Sequence, residues 1–187
     1  MRRGFALVEL MVVVVIVGIL ASVAIPGFIS YLYKSKTSEA KVNLHSIQLG
    51  ALTFFQVEHV YDEGMSVTTR LYPYADTVVG IGHPADDTTV AQKFPPGDAE
   101  DALATQPWSD LSFVIKSPFY FYYNYDSMNE NSPSFQASAS ASINDPCDAI
   151  FIVEGRASGA GSAILDLSGD SSKCNLAVAP TTTPETP

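Results

Sequence analysis

From Phe5 to Tyr33 the chain carries one formal charge, Glu9, in a run otherwise built of valine, isoleucine, leucine, alanine and a few small or aromatic residues. A helix that crosses a bilayer needs about 20 apolar residues, and this run exceeds that length. It reads as a membrane-spanning helix. An ionised side chain inside hydrocarbon costs on the order of 2.5–3.5 kcal/mol even on permissive insertion scales, so Glu9 reads as a functional group in need of a partner. Pro26 has no N–H to bond the carbonyl of Ser22, and its ring crowds that carbonyl, which predicts a kink or loosening between the two. Gly18, Ala21, Ser22 and Ala24 are small enough to let neighbouring helices approach closely.

Arg2 and Arg3 lie ahead of the run, and no further basic residue follows until Lys34. By the positive-inside rule the first residues stay in the cytoplasm and the bulk of the chain crosses the membrane. A cleaved secretory signal would share the basic start and the small residues at Ser22-Val23-Ala24. Glu9 would then sit in its apolar centre, however, and the helical pattern continues through Phe28, Tyr31 and Leu32. A plain single-span anchor explains the length but leaves Glu9 without a role. Acidic residues outnumber basic ones by 20 to 10, which argues against nucleic-acid binding through a broad basic surface. No nucleophile stands with a histidine and an acid in a catalytic pattern, and neither a phosphate-binding glycine loop nor a metal-ligand spacing is present. A non-enzymatic chain without cofactor or metal is expected.

Beyond the apolar run, Lys34, Ser35, Lys36, Ser38, Glu39 and Lys41 form a polar band. Ala40, Leu44, Ile47, Ala51, Phe54 and Phe55 then recur at spacings of three and four, the stripe of an amphipathic helix laid on a core. One helix from Phe5 to about His59 is predicted, with His45 and His59 as solvated helix residues. Residues 60–107 are rich in turn signals, among them Gly80-Ile81-Gly82 and Pro95-Pro96-Gly97, with short strands expected at 67–71 and 77–81. Asp98, Glu100 and Asp101 read as a solvated face. Trp108, Leu111 and Phe113 precede an aromatic strand at 119–125, whose alternation puts Phe119, Phe121, Tyr123 and Tyr125 on one face and Tyr120, Tyr122 and Asn124 on the other. The run of tyrosines reads as packing. Further strands are expected at 134–143, 149–154 and 164–167, forming an antiparallel sheet on the helix in an α+β arrangement.

Cys147 and Cys174 are the two cysteines and enclose 26 residues. One disulfide in an oxidising compartment is the economical reading, and closing that loop is worth roughly 3.5 kcal/mol by the chain-entropy relation. Asp166, Ser168 and Asp170 lie near Gly169 but lack the final acid of a calcium loop. The tail from residue 179, with Thr181 to Thr183 and three prolines, is compositionally disordered.

Gly4-Phe5-Ala6-Leu7-Val8-Glu9, followed by the apolar run with Gly18 and Pro26, resembles the N-terminus of type IV prepilins and of the related type II secretion pseudopilins. The likeness is close over about the first 55 residues and looser beyond; Ala6 stands where threonine is common. The order Trp108, Leu111, Phe113 and a C-terminal loop bounded by cysteines are similar to many pilins. The resemblance implies the ladle-shaped pilin fold and cleavage by a prepilin peptidase between Gly4 and Phe5, with N-methylation of Phe5. It divides the chain into a leader (1–4), a transmembrane and assembly helix (5–33), a head (34–178) and the tail (179–187). The head comprises helix 34–59, a variable region 60–107, and a sheet with its disulfide loop at 108–178.

The resemblance further implies that Glu9 meets the new amine of Phe5 of a neighbouring subunit, and so sets axial register in a fibre. The two groups are four residues apart and share one helix face, and an unpaired carboxylate in a low-dielectric bundle is costly. The implied partners are copies of this chain and other pilins, the prepilin peptidase, the inner membrane and the pilus assembly machinery. The implied locations are the inner membrane, single-pass with the N-terminus inside, and then an extracellular filament of the kind associated with adhesion, twitching motility and DNA uptake. A pseudopilin of a type II secretion system and a membrane-anchored periplasmic binding module are the alternatives.

Overall fold

The computed structural model describes residues 7–61, 67–74, 80–82, 92–129, 133–143, 149–156 and 165–166. The chain divides into two compact units, Met1–Lys36 and Thr37–Pro187. Helix α1, Leu7–Gln56, supplies the described part of the first unit and the first element of the second. The helix assignment is unbroken through Pro26, so the loosening expected there is not an interruption. Proline removes a single backbone bond from a long helical run. Next to it, the Ser22 hydroxyl donates to the carbonyl of Ile19 at 2.7 Å.

The helix ends three residues before the predicted limit. The N–H of Val57 bonds the carbonyl of Phe54 at 3.1 Å, and the chain then turns into β1 (His59–Tyr61). His59 is thus a strand residue, a correction to its reading as a helical one; the sequence His-Val-Tyr suits a strand better than a helix end. β1 pairs antiparallel with β2 (Val67–Thr69), His59 opposite Thr69 and Tyr61 opposite Val67. That strand falls within the expected 67–71. Of the strand expected at 77–81, Ile81 forms an isolated bridge to Tyr123, and residues 77–79 lie outside the described residues.

A 3-10 turn (Pro96–Ala99) and the single-turn helix α2 (Glu100–Leu103) lead into a series of tight turns. Glu100 and Asp101 are exposed. The turns close at Trp108–Phe113: the N–H of Leu111 reaches the carbonyl of Pro107 at 3.0 Å, and that of Phe113 reaches Trp108 at 3.3 Å. Ser112 takes a left-handed conformation, φ 51°, to complete the turn.

The main sheet runs β3 (Tyr122–Met128), β4 (Ser134–Ala141), β5 (Ala149–Arg156) and β6 (Leu165–Asp166) in that spatial order, all antiparallel. The predicted strands at 134, 149 and 164 are therefore present, with the first of these ending at Ala141. The aromatic strand begins later than predicted, at Tyr122 rather than Phe119. The ladder with β4 has run out there, since Tyr122 already pairs with Ser140 and only Ala141 follows in β4. Phe119 instead exchanges backbone bonds with Phe94, at 2.7 and 3.0 Å.

The core lies between the head portion of α1 and this sheet. Ala40, Leu44, Ile47 and Ala51 are fully buried, the predicted stripe, while Phe54 and Phe55 at its end are half-buried. Opposite them lie Trp108, Leu111, Phe113, Phe121, Tyr123, Tyr125, Phe135, Phe151 and Val153. Each such aliphatic or aromatic side chain contributes roughly 1.5–3 kcal/mol on burial. Phe55 stacks on Tyr72 with centroids 4.6 Å apart, and Tyr125 lies nearly parallel to Phe135 at 5.9 Å. The alternation in β3 does not divide core from solvent. Tyr122 and Asn124, assigned to the opposite face, are also buried, as are Ser138 and Ser140 beside them in β4.

Candidate assembly site and the polar clasp of the head

Within the first unit, every described residue from Leu7 to Leu32 is exposed except Ala21, which is half-buried. Large apolar side chains here keep between 42% (Leu32) and 77% (Val23) of their surface. Helix α1 is long and apolar enough to cross a membrane. A contiguous apolar surface of this size needs lipid or other protein to cover it. Glu9 sits in the first turn of α1 and is exposed, where the helix dipole favours a negative charge by about 0.3–1 kcal/mol. Gly18 lies mid-helix, and a Cβ added there would meet nothing within 4 Å. Glycine costs about 1 kcal/mol relative to alanine in a helix interior, and no close contact among the described residues offsets that at Gly18. Gly4, Phe5, Cys147 and Cys174 lie outside the described residues.

The second unit encloses one member of the polar band at 34–41. Glu39 lies one residue before fully buried Ala40, and is itself half-buried beneath the start of the sheet. Its Oε1 accepts the backbone N–H of Tyr120 at 3.0 Å and the hydroxyl of Tyr123 at 3.2 Å. Asn43, one turn along α1, donates from Nδ2 to the Tyr123 Oη at 2.7 Å. Glu39 thus supplies the acceptor that a neighbouring strand would otherwise offer Tyr120, in the stretch just before β3 where the β4 ladder has ended. Burial pushes its carboxyl above the usual glutamate range, partly offset by the backbone N–H of Tyr120, the Tyr123 hydroxyl, the backbone of Phe121 and the charge of Lys93. Burial, and then the charge of Glu39, hold the Tyr123 hydroxyl well above the usual phenol range. A cleft of about 410 Å³ opens beside the cluster, lined among others by Ser38, Val42, Val114 and Lys116. The helical stripe hides Glu39 from sequence inspection: it is three residues past Lys36 and polar, and only its position next to Ala40 hinted at burial.

Among the described residues, no group of three or more histidine, cysteine, aspartate or glutamate side chains is placed to hold a metal ion. The arrangement offers hydrogen bonding and an uncovered apolar helix.

An exposed helix of membrane-spanning length and apolarity with an acid in its first turn, continuing into a helix packed on an antiparallel sheet, defines a class of α+β proteins. Comparison with known proteins adds likenesses over part of the chain. Residues 1–25 match the family described as the prokaryotic N-terminal methylation motif. The type IV major pilin protein PilA of Myxococcus xanthus (strain DK1622) is 49% identical over 62 residues, covering 33% of this chain and 28% of that protein. The type IV major pilin protein PilE1 of Neisseria gonorrhoeae is 34% identical over 87 residues, 46% of each chain. The fimbrial protein EcpC of Eikenella corrodens is 42% identical over 64 residues, 34% of this chain and 39% of that protein. The chain spans less than half the length of these relatives. No solved structure matches. The N-terminal part of the chain is thus similar to that of type IV pilins.

Proposed function

We propose that this chain is the structural subunit of a type IV pilus, processed between Gly4 and Phe5, methylated at Phe5 and polymerised through its N-terminal helix. The observation that carries this reading is the uncovered apolar surface from Leu7 to Leu32, which lipid covers before assembly and other copies cover after it. Removal of Met1–Gly4 takes away Arg2 and Arg3 and moves the formal charge from −10 to −12. Losing that cytoplasmic basic flank loosens the hold on the membrane, as extraction into a fibre requires. The same cut creates the amine of Phe5, the nearest cation available to Glu9 before Lys34. In a fibre Glu9 pairs with the Phe5 amine of the next subunit, and a copy docked at the wrong height leaves the carboxylate unpaired in an apolar bundle. Gly18 admits a neighbouring helix at close range, and Pro26 leaves one carbonyl free for local adjustment. A prepilin peptidase, the inner membrane and the pilus assembly machinery are the partners this route needs. Adhesion, twitching motility and DNA uptake are the roles such a fibre serves.

Intact-mass and N-terminal analysis of the mature protein tests the processing step, with N-methylated Phe5 expected at the start; retention of Met1 would overturn the reading. Glu9→Ala is expected to give a processed, membrane-held subunit that is missing from sheared fibres. Normal fibre yield from that variant would remove Glu9 from assembly, and a periplasm-confined chain required for protein export would instead indicate a secretion pseudopilin.

A further inference from the structure

We propose that Tyr123 is a redox-active tyrosine: a one-electron vacancy created on Trp108 moves to it, leaving a neutral phenoxyl radical whose proton is held by Glu39. This activity belongs to the head and does not depend on polymerisation. Loss of an electron turns a phenol into a strong acid, and a charge left in an apolar core is costly, so a buried tyrosine is oxidised only where a base is in place for its proton. Tyr123 has that base. Asn43 Nδ2 donates to its oxygen at 2.7 Å, which leaves the phenol's single proton for Glu39 Oε1 at 3.2 Å. Burial raises the Glu39 carboxyl, and against it the N–H of Tyr120, the Tyr123 hydroxyl, the backbone of Phe121 and the charge of Lys93 favour the carboxylate, the form that takes a proton. Once the proton has crossed, the new O–H of Glu39 donates back to the phenoxyl oxygen, which keeps its bond from Asn43. Oε1 still accepts the N–H of Tyr120, so no member of the cluster loses its partner.

The rings around Trp108 supply the path and single out its end. Trp108 is fully buried, and two tyrosines lie within reach. Tyr125 stands edge-on to it with ring centres 6.3 Å apart, but its buried hydroxyl has no hydrogen-bond partner among the described residues. With nowhere to send its proton, Tyr125 would have to become a buried cation. Tyr123 is one ring further on: Phe113 lies 5.7 Å from Trp108 and 5.8 Å from Tyr123. Phenylalanine is too hard to oxidise to hold the vacancy, so Phe113 bridges the two. The step balances as follows. Trp108 first gives one electron to an external one-electron oxidant. One electron then passes from Tyr123 to the Trp108 radical cation, the Oη–H bond breaks, and an O–H bond forms on Glu39 Oε1. Trp108 is reduced back to neutral indole and Tyr123 is oxidised. Tyr123 has no exposed surface, so its radical meets no second phenoxyl to couple with, and re-reduction along the same path returns the proton. Packing alone accounts for the rings; the carboxylate in line with one of two candidate phenols is what sets Tyr123 apart.

Laser flash photolysis of the full-length protein in detergent tests this, with excitation where only the indole absorbs and a soluble cobalt(III) complex to take the electron. Trp108 is the sole tryptophan, so the vacancy starts at one known place. The broad indole-radical absorption should decay as the sharp phenoxyl band rises at the same rate, and that rate should fall in deuterium oxide. A wild type that forms no phenoxyl, or forms it with no isotope effect, would overturn the proposal. Tyr123→Phe keeps the ring and should lose the phenoxyl phase, whereas Tyr125→Phe should retain it; the reverse pattern, or a phase equal in both variants, would place the radical elsewhere and refute the site. Glu39→Gln keeps an oxygen for the Tyr120 N–H and the Tyr123 hydroxyl but takes no proton. Transfer in it should slow by about 100-fold, the lower end of what a positioned base contributes. An unchanged rate would show that Glu39 is not the acceptor.

Discussion

Gly50 provides a sharp test of how the head is held together. It lies on α1 between buried Ile47 and Ala51, and packs directly against the carbonyl of Leu111. A Cβ there would fall 3.1 Å from the Leu111 carbonyl carbon and 3.2 Å from its Cα. Carbon atoms prefer about 3.5–4.0 Å, and the obstructing atoms are backbone, which cannot rotate away. The turn that presents them is tied by the Leu111 to Pro107 bond and by the left-handed Ser112, so relief requires α1 and the turn to separate across the core. Overpacking of a tight contact costs about 1–3 kcal/mol, and a rigid obstacle places Gly50→Ala near the upper end. Alanine returns about 1 kcal/mol of helix propensity. The balance is a loss of about 2 kcal/mol, or a fall in melting temperature of about 4–8 °C for a chain of this size. Trp108 is the sole tryptophan and is fully buried beside Leu111, so its fluorescence reports this contact in urea. The midpoint should drop with little change in slope. Gly18→Ala, which meets open space, should leave the same transition unmoved. A Gly50→Ala protein as stable as wild type, or more so, would refute the close approach.

Tyr125 is buried, and its hydroxyl has no hydrogen-bond partner in the described structure. An unsatisfied buried hydroxyl is worth about 1–3 kcal/mol of lost stability, so Tyr125→Phe should melt at or above the wild-type temperature while preserving the ring packed on Phe135; a clear fall would show that the hydroxyl is bonded. The pairing of Cys147 with Cys174 is a proposal from sequence. If it is correct, denatured unreduced protein should titrate no free thiol, and Cys147→Ser should lower stability by roughly 3.5 kcal/mol; two free thiols in protein from the oxidising compartment would exclude the bridge.

Local chemistry in the sequence determined where the helix and strands lie. Ala40, Leu44, Ile47 and Ala51 recur with the helical period because one face of α1 must leave water, and they are fully buried. Ser134 onward alternates as a half-buried strand does, Ala149 onward is a short apolar run, and both form ladders. The N-terminal segment needed least tertiary information, since an apolar run with one acid is a statement about its surroundings, whether lipid or other copies. The tertiary structure decided what stands opposite each face. Period-two alternation in β3 marks two faces but does not say that both are covered, so Tyr122 and Asn124, on the face opposite Tyr123 and Tyr125, are buried as well. Phe119 looks like the start of a strand because it is aromatic, but its backbone partner is Phe94, which no local pattern names. Gly50 and Glu39 show the same limit. Each is an unremarked residue on a helix until the chain closes over it, and then one becomes a close backbone contact and the other an enclosed carboxyl, because long-range packing chooses neighbours that sequence spacing cannot encode.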